Sequence, residues 1–308
     1  MNGQGIAALV LALGSWASAQ ETGSFLRITP GARPMAMGEA FTAVAGDLNA
    51  LAANPAGLAQ ISGRHAAFMH AELFEGSRYD FLGYGQNLSG AGPFSGGAVA
   101  VGAQRLSYAD MEARDEQGQS AGSLSASDSA FSLAYSRSLL GWDWGLGVKW
   151  IESRLADSSA RGAAFDLGLG HSLSAASLPL RVGMAVQNLG PGVRFEQERE
   201  NLPLAVSFGG AARVAGSLLI SADIKHRPHS AKTSFGVGTE YAVLPALSFR
   251  AGYSALSASA RSGSDFAGRL GGLGLGFGFK LRSLSLDYAF SPYGELGNAQ
   301  RVSLGIRL

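Results

Sequence analysis

The side chains that could do chemistry are few and lie far apart along the sequence. The chain of 308 residues contains no cysteine, which excludes disulfides, cysteine-ligated metals and thiol nucleophiles. His226 and His229 are close enough in sequence to share a metal ion, but no carboxylate or third histidine lies near them to complete the ligand set. We therefore predict that the protein binds no metal and needs no cofactor.

Other motifs also fail to indicate a catalytic site. The glycine-rich segment 272–278 lacks the Lys-Ser/Thr ending of a phosphate loop, and its glycines alternate with large apolar residues as they would in a strand. The chain has no Gly-x-Ser-x-Gly nucleophile elbow. Its 24 basic and 23 acidic residues give a net charge of +1, which offers no reason to expect nucleic acid. We predict a protein that is not an enzyme and does not bind nucleic acid.

Charged residues recur at alternate positions, opposite series of large apolar residues. They are Asp143, Lys149, Asp166, Asp223, Lys225, Glu240, Arg250, Asp287, Arg301 and Arg307. Such a set can line a selective channel, or it can form ion pairs that compensate one another in a closed interior. The mixed signs favour ion pairs, because a selective pore more often carries a ring of one sign.

The elements that carry these charges have the period of a β-strand. In the segment 142–150 one face consists of Trp142, Trp144, Leu146, Val148 and Trp150, and the other of Asp143, Gly145, Gly147 and Lys149. A soluble sandwich would carry many charges on its outer face, whereas only 15% of this chain is charged and the face opposite the apolar one is mostly glycine, alanine and serine. A barrel with lipid outside and a small-residue or polar interior explains both faces.

Period-two segments occur fourteen times, which predicts a 14-stranded antiparallel transmembrane β-barrel of the all-β class. The predicted strands are 64–72, 79–88, 94–106, 128–137, 142–151, 161–172, 180–188, 204–213, 218–225, 232–241, 247–253, 268–279, 283–290 and 300–308. Long connections such as 107–127, 152–160 and 189–203 follow odd strands, and short ones such as 138–141 follow even strands. This alternation places the long loops outside the cell. The first strand then starts, and the last strand ends, on the periplasmic side.

The sequence before the barrel divides into two parts. Residues 1–19 read as a signal peptide, with an apolar run and the small-x-small pattern Ala17-Ser18-Ala19. Residues 20–62 do not alternate, and we interpret them as a short, partly helical hatch in the lumen of the barrel formed by residues 63–308. Within the hatch, 33–47 reads as a helix of small residues, and Asn54-Pro55 with Gly57 predicts a turn that packs near the first strand.

Both ends of the sequence resemble a known family. The segments Gly31–Asp47 and Asn54–Ala59, with Leu286–Phe290 and Arg301–Leu304 near the other end, resemble the PorV/PorQ family of the FadL-like outer-membrane proteins. The resemblance implies a fourteen-stranded barrel with an N-terminal hatch. The hatch residues that match it, to which we assign a structural or gating role, are Gly38, Asp47, Asn54, Pro55 and Gly57.

The resemblance also implies a function and a set of partners. It implies a component of protein secretion or surface attachment of the type IX kind in the bacterial outer membrane. The partners would be outer-membrane lipid, the barrel-assembly machinery, and secreted cargo proteins or secretion-system components. The alternative is FadL-like passive transport of hydrophobic small molecules across the outer membrane, with the hatch as gate. A structural barrel without transport is the third hypothesis.

Overall fold

A computed structural model describes residues 22–89, 94–109, 111–114, 119–156, 158–175, 178–195, 198–255, 272–292 and 297–308. The predicted signal peptide and the first residues of the predicted strand 268–279 lie outside these ranges. No helix within them is long and apolar enough to cross a membrane.

Fourteen antiparallel strands form one closed barrel, in which the first strand pairs with the last. They are β1 (Arg64–Glu72), β2 (Arg78–Leu88), β3 (Gly97–Ser107), β6 (Ala126–Leu139), β7 (Trp142–Leu155), β8 (Ser158–Ala175), β9 (Leu178–Leu189), β12 (Ala205–Val214), β13 (Leu218–Arg227), β14 (Lys232–Leu244), β15 (Leu247–Ser254), β16 (Leu273–Leu281), β17 (Leu284–Pro292) and β18 (Asn298–Arg307). The predicted fold class is confirmed. We call the two ends of the barrel the short-turn end and the long-loop end.

The alternation in β7 shows which face meets lipid. Trp144, Leu146 and Trp150 are 53%, 60% and 54% exposed, whereas Asp143 and Lys149 are each only 5% exposed and point into the lumen. A belt of large apolar residues covers the outside of the barrel in the same way, with Phe131, Phe208, Phe235, Leu275 and Leu304 among them. Such an exposed belt is stable only against hydrocarbon.

Polar and aromatic residues mark the two edges of this belt. Toward the long-loop end, His70 contacts Asp80 at 2.7 Å, and Glu152 pairs with Arg161 across β7 and β8 at 3.0 Å. At the short-turn end the ring of Trp142 stacks on His171, with 4.4 Å between the ring centroids. Amphipathic rings at one edge and ion pairs at the other are typical of membrane interfaces.

The long connections contain more strand than the sequence predicted. The predicted loop 152–160 is wrong, because β7 runs to Leu155 and β8 starts at Ser158. Two short hairpins lie in the other long connections, β4 (Met111–Arg114) with β5 (Ser120–Leu124), and β10 (Val193–Phe195) with β11 (Glu198–Glu200). Ser, Ala and charged residues make up most of these segments, so they lack the apolar alternation that identifies a membrane-crossing strand.

The hatch contains less helix than predicted. It has two short α-helices, α1 (Ala32–Ala36) and α2 (Ala50–Ala53), and 3-10 turns at Ser24–Arg27 and Pro55–Gln60. The predicted helix over 33–47 is wrong, because Gly38 and Glu39 adopt positive φ angles of 60° and 62°. The amides of these residues donate to the carbonyls of Met35 at 3.1 Å and Pro34 at 2.9 Å, which ends the helix as a C-terminal glycine does.

Candidate functional site: the hatch inside the lumen

The hatch, of which residues 22–62 are described, lies inside the barrel. Phe25, Phe41 and Leu58 have no exposed surface. At the long-loop end the amide of Thr22 donates to the carbonyl of Asn201 at 2.9 Å, and the hatch ends where β1 begins, at the short-turn end. The hatch therefore passes through the lumen and occupies the space through which a solute would have to move.

Glycines on the inner wall let the hatch backbone lie directly against the barrel. A Cβ atom at Gly252 would be 2.2 Å from the amide nitrogen of Gly38, and one at Gly238 would be 2.3 Å from the carbonyl oxygen of Met37. A Cβ at Gly145 would be 2.2 Å from the amide nitrogen of Ala56. Such distances are far inside van der Waals contact, so these positions need glycine for the hatch to fit.

The Asn54-Pro55 turn is fixed by its own side chain and by the wall. The Asn54 amide donates to the carbonyls of Thr42 at 2.8 Å and of Leu169 in β8 at 3.1 Å, and its oxygen accepts from the amide of Ala56 at 3.1 Å. The turn packs on β6, β7 and β8, so the prediction that it lies near the first strand is wrong. The chain turns at Pro55, and residues 56–63 lead from the turn to Arg64, where β1 starts.

A network of ion pairs joins the hatch to one half of the wall. Arg33 of α1 makes two hydrogen bonds to Glu240 of β14, at 2.7 and 2.9 Å, and pairs with Asp47 at 2.8 Å. Arg250 of β15 bridges Glu240 at 2.6 Å and Asp287 of β17 at 2.7 Å. Burial opposes the charge of Arg33, but Glu240 and Asp47 outweigh it and raise the pKa of Arg33 above its usual value.

Asp223 of β13 holds the hatch backbone on the same side. One oxygen of its carboxylate accepts the amides of Phe41 at 2.8 Å and Thr42 at 2.7 Å. These amides lie in a segment without regular structure, so the carboxylate supplies the acceptors that a helix or sheet would otherwise provide.

The opposite half of the lumen is held by apolar packing. Six apolar hatch residues, Phe25 and Ala50 among them, belong to one buried cluster with residues of β1, β2, β3, β6, β7 and β8. The hatch side also contributes Leu48, Leu51, Leu58 and Ile61, and the wall contributes Met69, Phe81, Leu106 and Ile151. The hatch therefore has an ionic side and an apolar side, which face different strands, although the ionic side also carries smaller apolar clusters, such as Met37 and Phe41 with Leu219 of β13.

The remaining charges that the sequence predicted to be lumenal are of three kinds: some pair with other wall residues, some contact the hatch, and some have no ion pair among the described residues. Lys149 pairs with Asp166 at 2.7 Å, and Asp143 accepts from Gln60 of the hatch at 2.9 Å and pairs with Arg181 at 2.5 Å. Arg301 donates to the carbonyl of Thr29 in the hatch at 2.5 Å. Lys225 lies in the lumen and has no ion pair among the described residues, and Arg307 is exposed at the short-turn end.

Several residues of the lumenal hydrogen-bond network were not predicted from the sequence. Gln60 and Arg181 both bind Asp143, and Asn188 accepts from Lys149 at 2.8 Å. Arg181 shares a face of β9 with the inward Gly183, which is the signal that could have identified it, whereas Asn188 follows the opposite, apolar series and carries no such signal. His226 and His229 bond Thr233 and Leu202, each at 2.9 Å, and within the described ranges no three His, Asp or Glu side chains form a metal-binding group.

An open cavity lies at the short-turn end of the lumen. Its volume is about 490 Å³, and it is bounded by the hatch and by the ends of β8, β9, β12 and β13. Val44 and Gln60 of the hatch and Arg181, Arg213 and Leu219 of the wall line it. A cavity of this size can hold a small organic molecule.

Comparison with known proteins places the fold. A family model described as uncharacterised protein family UPF0164 matches residues 15–164, and no curated protein sequence matches the chain. The toluene transporter TbuX of Ralstonia pickettii is similar in structure, with a TM-score of 0.61 and 14% identity over 90% of this chain and 97% of that one. For the toluene transporter TodX of Pseudomonas putida the TM-score is 0.58, with 14% identity over 90% and 96%.

A FadL homologue of Pseudomonas aeruginosa has a TM-score of 0.50 and 13% identity, over 95% of this chain and 98% of that one. All three structures match nearly the full length of the described barrel with its hatch. The closed fourteen-strand barrel and its apolar belt are those of a bacterial outer-membrane protein. The protein is therefore an outer-membrane β-barrel with the fold of the FadL-like transporters.

Proposed function

We propose that the protein is a gated passive transporter of small hydrophobic molecules across the outer membrane, with the hatch as its gate. The observation that carries the proposal is the division of the hatch into an ionic side and an apolar side. Moving the ionic side would separate Arg33 from Glu240 and take the amides of Phe41 and Thr42 away from Asp223, and a broken buried pair costs about 3–5 kcal/mol. On the apolar side, separation would take Gln60 away from Asp143 of β7, but Asp143 would keep its ion pair with Arg181 of the wall.

The gap opened by such a movement has a defined chemistry. It lies between the hatch and the wall residues Met69, Phe81, Leu106 and Ile151, so its surface is apolar and favours hydrophobic solutes. The cavity of about 490 Å³ at the short-turn end, which is bounded by β8, β9, β12 and β13 and not by the strands of the gap, can hold a small organic molecule. The names of the similar structures, which are toluene transporters, support this class of solute.

The role in protein secretion or surface attachment, which the resemblance to the PorV/PorQ family implies, stays a prediction. It would require a surface for a cargo protein, and no feature of the described residues favours such a surface over a solute path. The similar structures are transporters of small molecules, which supports uptake in preference to secretion.

Two disulfide locks test the proposed gate, because the chain has no native cysteine. Leu51→Cys with Gly102→Cys would lock the apolar side, where a Cβ at residue 102 lies 2.7 Å from the Leu51 side chain. Ala32→Cys with Ser303→Cys would lock the ionic side, where the Ala32 amide donates to the Ser303 hydroxyl at 2.9 Å. Each pair is measured oxidised and reduced, with the four single variants as controls.

The readout is uptake of radiolabelled toluene by cells that carry the protein in their outer membrane. We expect that oxidation of the lock on the apolar side stops uptake of toluene. Oxidation of the lock on the ionic side should leave uptake unchanged. Uptake equal to that of cells without the protein would contradict the substrate class. If uptake is the same in the oxidised and reduced forms of both locks, the hatch is not the gate.

A further inference from the structure

A cluster of basic side chains lies in the lumen, away from the ion pairs that hold the hatch. Arg27 of the hatch and Lys149, Lys225 and Arg227 of the wall line one small cavity. The other polar side chains that line it are amides or a hydroxyl, those of Gln104, Gln187, Asn188 and Thr29, and none of the described lining residues is acidic.

Two of these basic groups lack a counter-ion. Lys149 has Asp166 at 2.7 Å, whereas neither Lys225 nor Arg227 forms an ion pair with any described residue. Arg227 is only 4% exposed, and its buried Nη1 has no hydrogen-bond acceptor within the described part of the chain. A buried guanidinium without an acceptor is costly, so such a group usually has a ligand.

The nearby carboxylates act on these cations only from beyond ion-pair distance: Asp223 and Glu39 on Lys225, and Glu39 on Arg227. Asp223 and Glu39 line a separate cavity that Lys225 also reaches, and both lie beyond ion-pair distance from Arg227. One Asp223 oxygen already accepts the amides of Phe41 and Thr42. Burial and the neighbouring Arg227 lower the pKa of Arg27, as expected where two cations lie close together.

The size of the cavity restricts the ligand. Its volume is about 20 Å³, and roughly 10–15 Å³ holds one water molecule. A single atomic ion fits, whereas a phosphate or carboxylate group with several heavy atoms does not fit without movement of the hatch.

We propose that this cavity is a halide site, in which a chloride ion accepts hydrogen bonds from Arg227 and Lys225 beside Arg27. The ion would join the first segment of the hatch to β13, close to the point where Thr29 accepts from Arg301. The closed position of the hatch is then stabilised by an anion from the medium. The proposal does not depend on which solute the protein transports.

Exchange of anions tests the site on the full chain purified in detergent. We expect the thermal midpoint to be about 2–4 °C higher in sodium chloride than in sodium gluconate of equal concentration, since a ligand of the folded state stabilises it. Arg227→Gln and Lys225→Gln should each abolish the difference. Arg213→Gln, which removes an exposed arginine at the short-turn end, should retain it.

Crystals grown in sodium bromide locate the ion directly. An anomalous peak between Arg227 and Lys225 in the wild type, absent in Arg227→Gln, is the expected result. The proposal is overturned if bromide peaks occur only elsewhere, or if the midpoint in chloride and gluconate is the same. A difference that persists in Arg227→Gln would show general salt stabilisation and would also overturn it.

Discussion

Individual glycines of the inner wall determine where the hatch can lie. Gly145, Gly238 and Gly252 allow backbone to meet backbone at distances that no side chain permits. The sequence showed that small residues line the lumen, because they alternate with the apolar belt. It could not show which of the many glycines contact the hatch, since those contacts join residues that are far apart in sequence, such as Gly145 and Ala56 or Gly252 and Gly38.

Gly252→Val should displace the hatch from the wall. Its Cβ would be 2.2 Å from the backbone of both Met37 and Gly38, and neither backbone group can rotate away, so we expect a destabilisation of at least ~1–3 kcal/mol. Limited proteolysis of the folded barrel should then cleave the hatch. Gly210→Val is the matched control because a Cβ there meets nothing within 4 Å, and equal cleavage in both variants would contradict the prediction.

The double variant Asn54→Ala, Pro55→Ala should loosen the hatch without unfolding the barrel. It removes three hydrogen bonds of the Asn54 side chain and the φ restriction of proline, and each hydrogen bond contributes about 0.5–1.5 kcal/mol. Single-channel recordings in planar bilayers should show more frequent openings than the wild type. Asn298→Ala, at an exposed position, serves as control, and closed traces identical to those of the wild type would exclude a gating role for the turn.

Secondary-structure elements were predictable where one face meets lipid. The fourteen barrel strands were predicted because apolar and small residues alternate along each of them, and β7 starts at Trp142 as predicted. The structure of the hatch was not predictable in this way. Its segment 35–37 suits a helix by local preference, but contacts with the wall fix Gly38 and Glu39 at positive φ. Contacts with the lumen override helix propensity there.

Leu275→Arg should destabilise the barrel through its lipid face. Leu275 is 44% exposed and lies within the apolar belt on β16, where an arginine at the middle of the bilayer costs roughly 2–4 kcal/mol. The measurement is reversible unfolding in guanidinium chloride in the presence of lipid vesicles. Leu140→Arg is the control, because Leu140 is 91% exposed in a turn outside the belt, and an equal effect of both substitutions would contradict the assignment of the lipid face.

At the scale of the whole molecule, the barrel and hatch form one unit with two unlike interfaces. The apolar interface involves β1, β2, β3, β6, β7 and β8, and the ionic one involves β13, β14, β15 and β17. Mixed lumenal charges in the sequence indicated ion pairs, but not that Arg33 of the hatch would join them. Its position in a segment without alternation gave no indication of the strand it would contact.

The ionic interface should act as a unit, which a double-mutant cycle on Arg33 and Glu240 can measure. Arg33→Gln leaves Asp47 and part of Glu240 without a partner, and Glu240→Gln leaves Arg33 with Asp47 alone. Breaking a buried pair from either side costs about 3–5 kcal/mol, so each single variant should be strongly destabilised. The double variant should lose less than the sum, because two amides can bond each other without a buried charge.

The wild type, the two single variants and the double variant should also differ in how often the channel opens, in the order of their loss of stability. If the ionic side fixes the hatch, each single variant opens more often in planar bilayers than the wild type, and the double variant is intermediate. A matched control is Arg161→Gln with Glu152→Gln, a pair on the outer surface where exposed ion pairs contribute about 0–1 kcal/mol. Additive losses in unfolding free energy for Arg33 and Glu240, with unchanged conductance, would mean that the hatch is held by its apolar side and that the gate opens from the ionic half of the lumen.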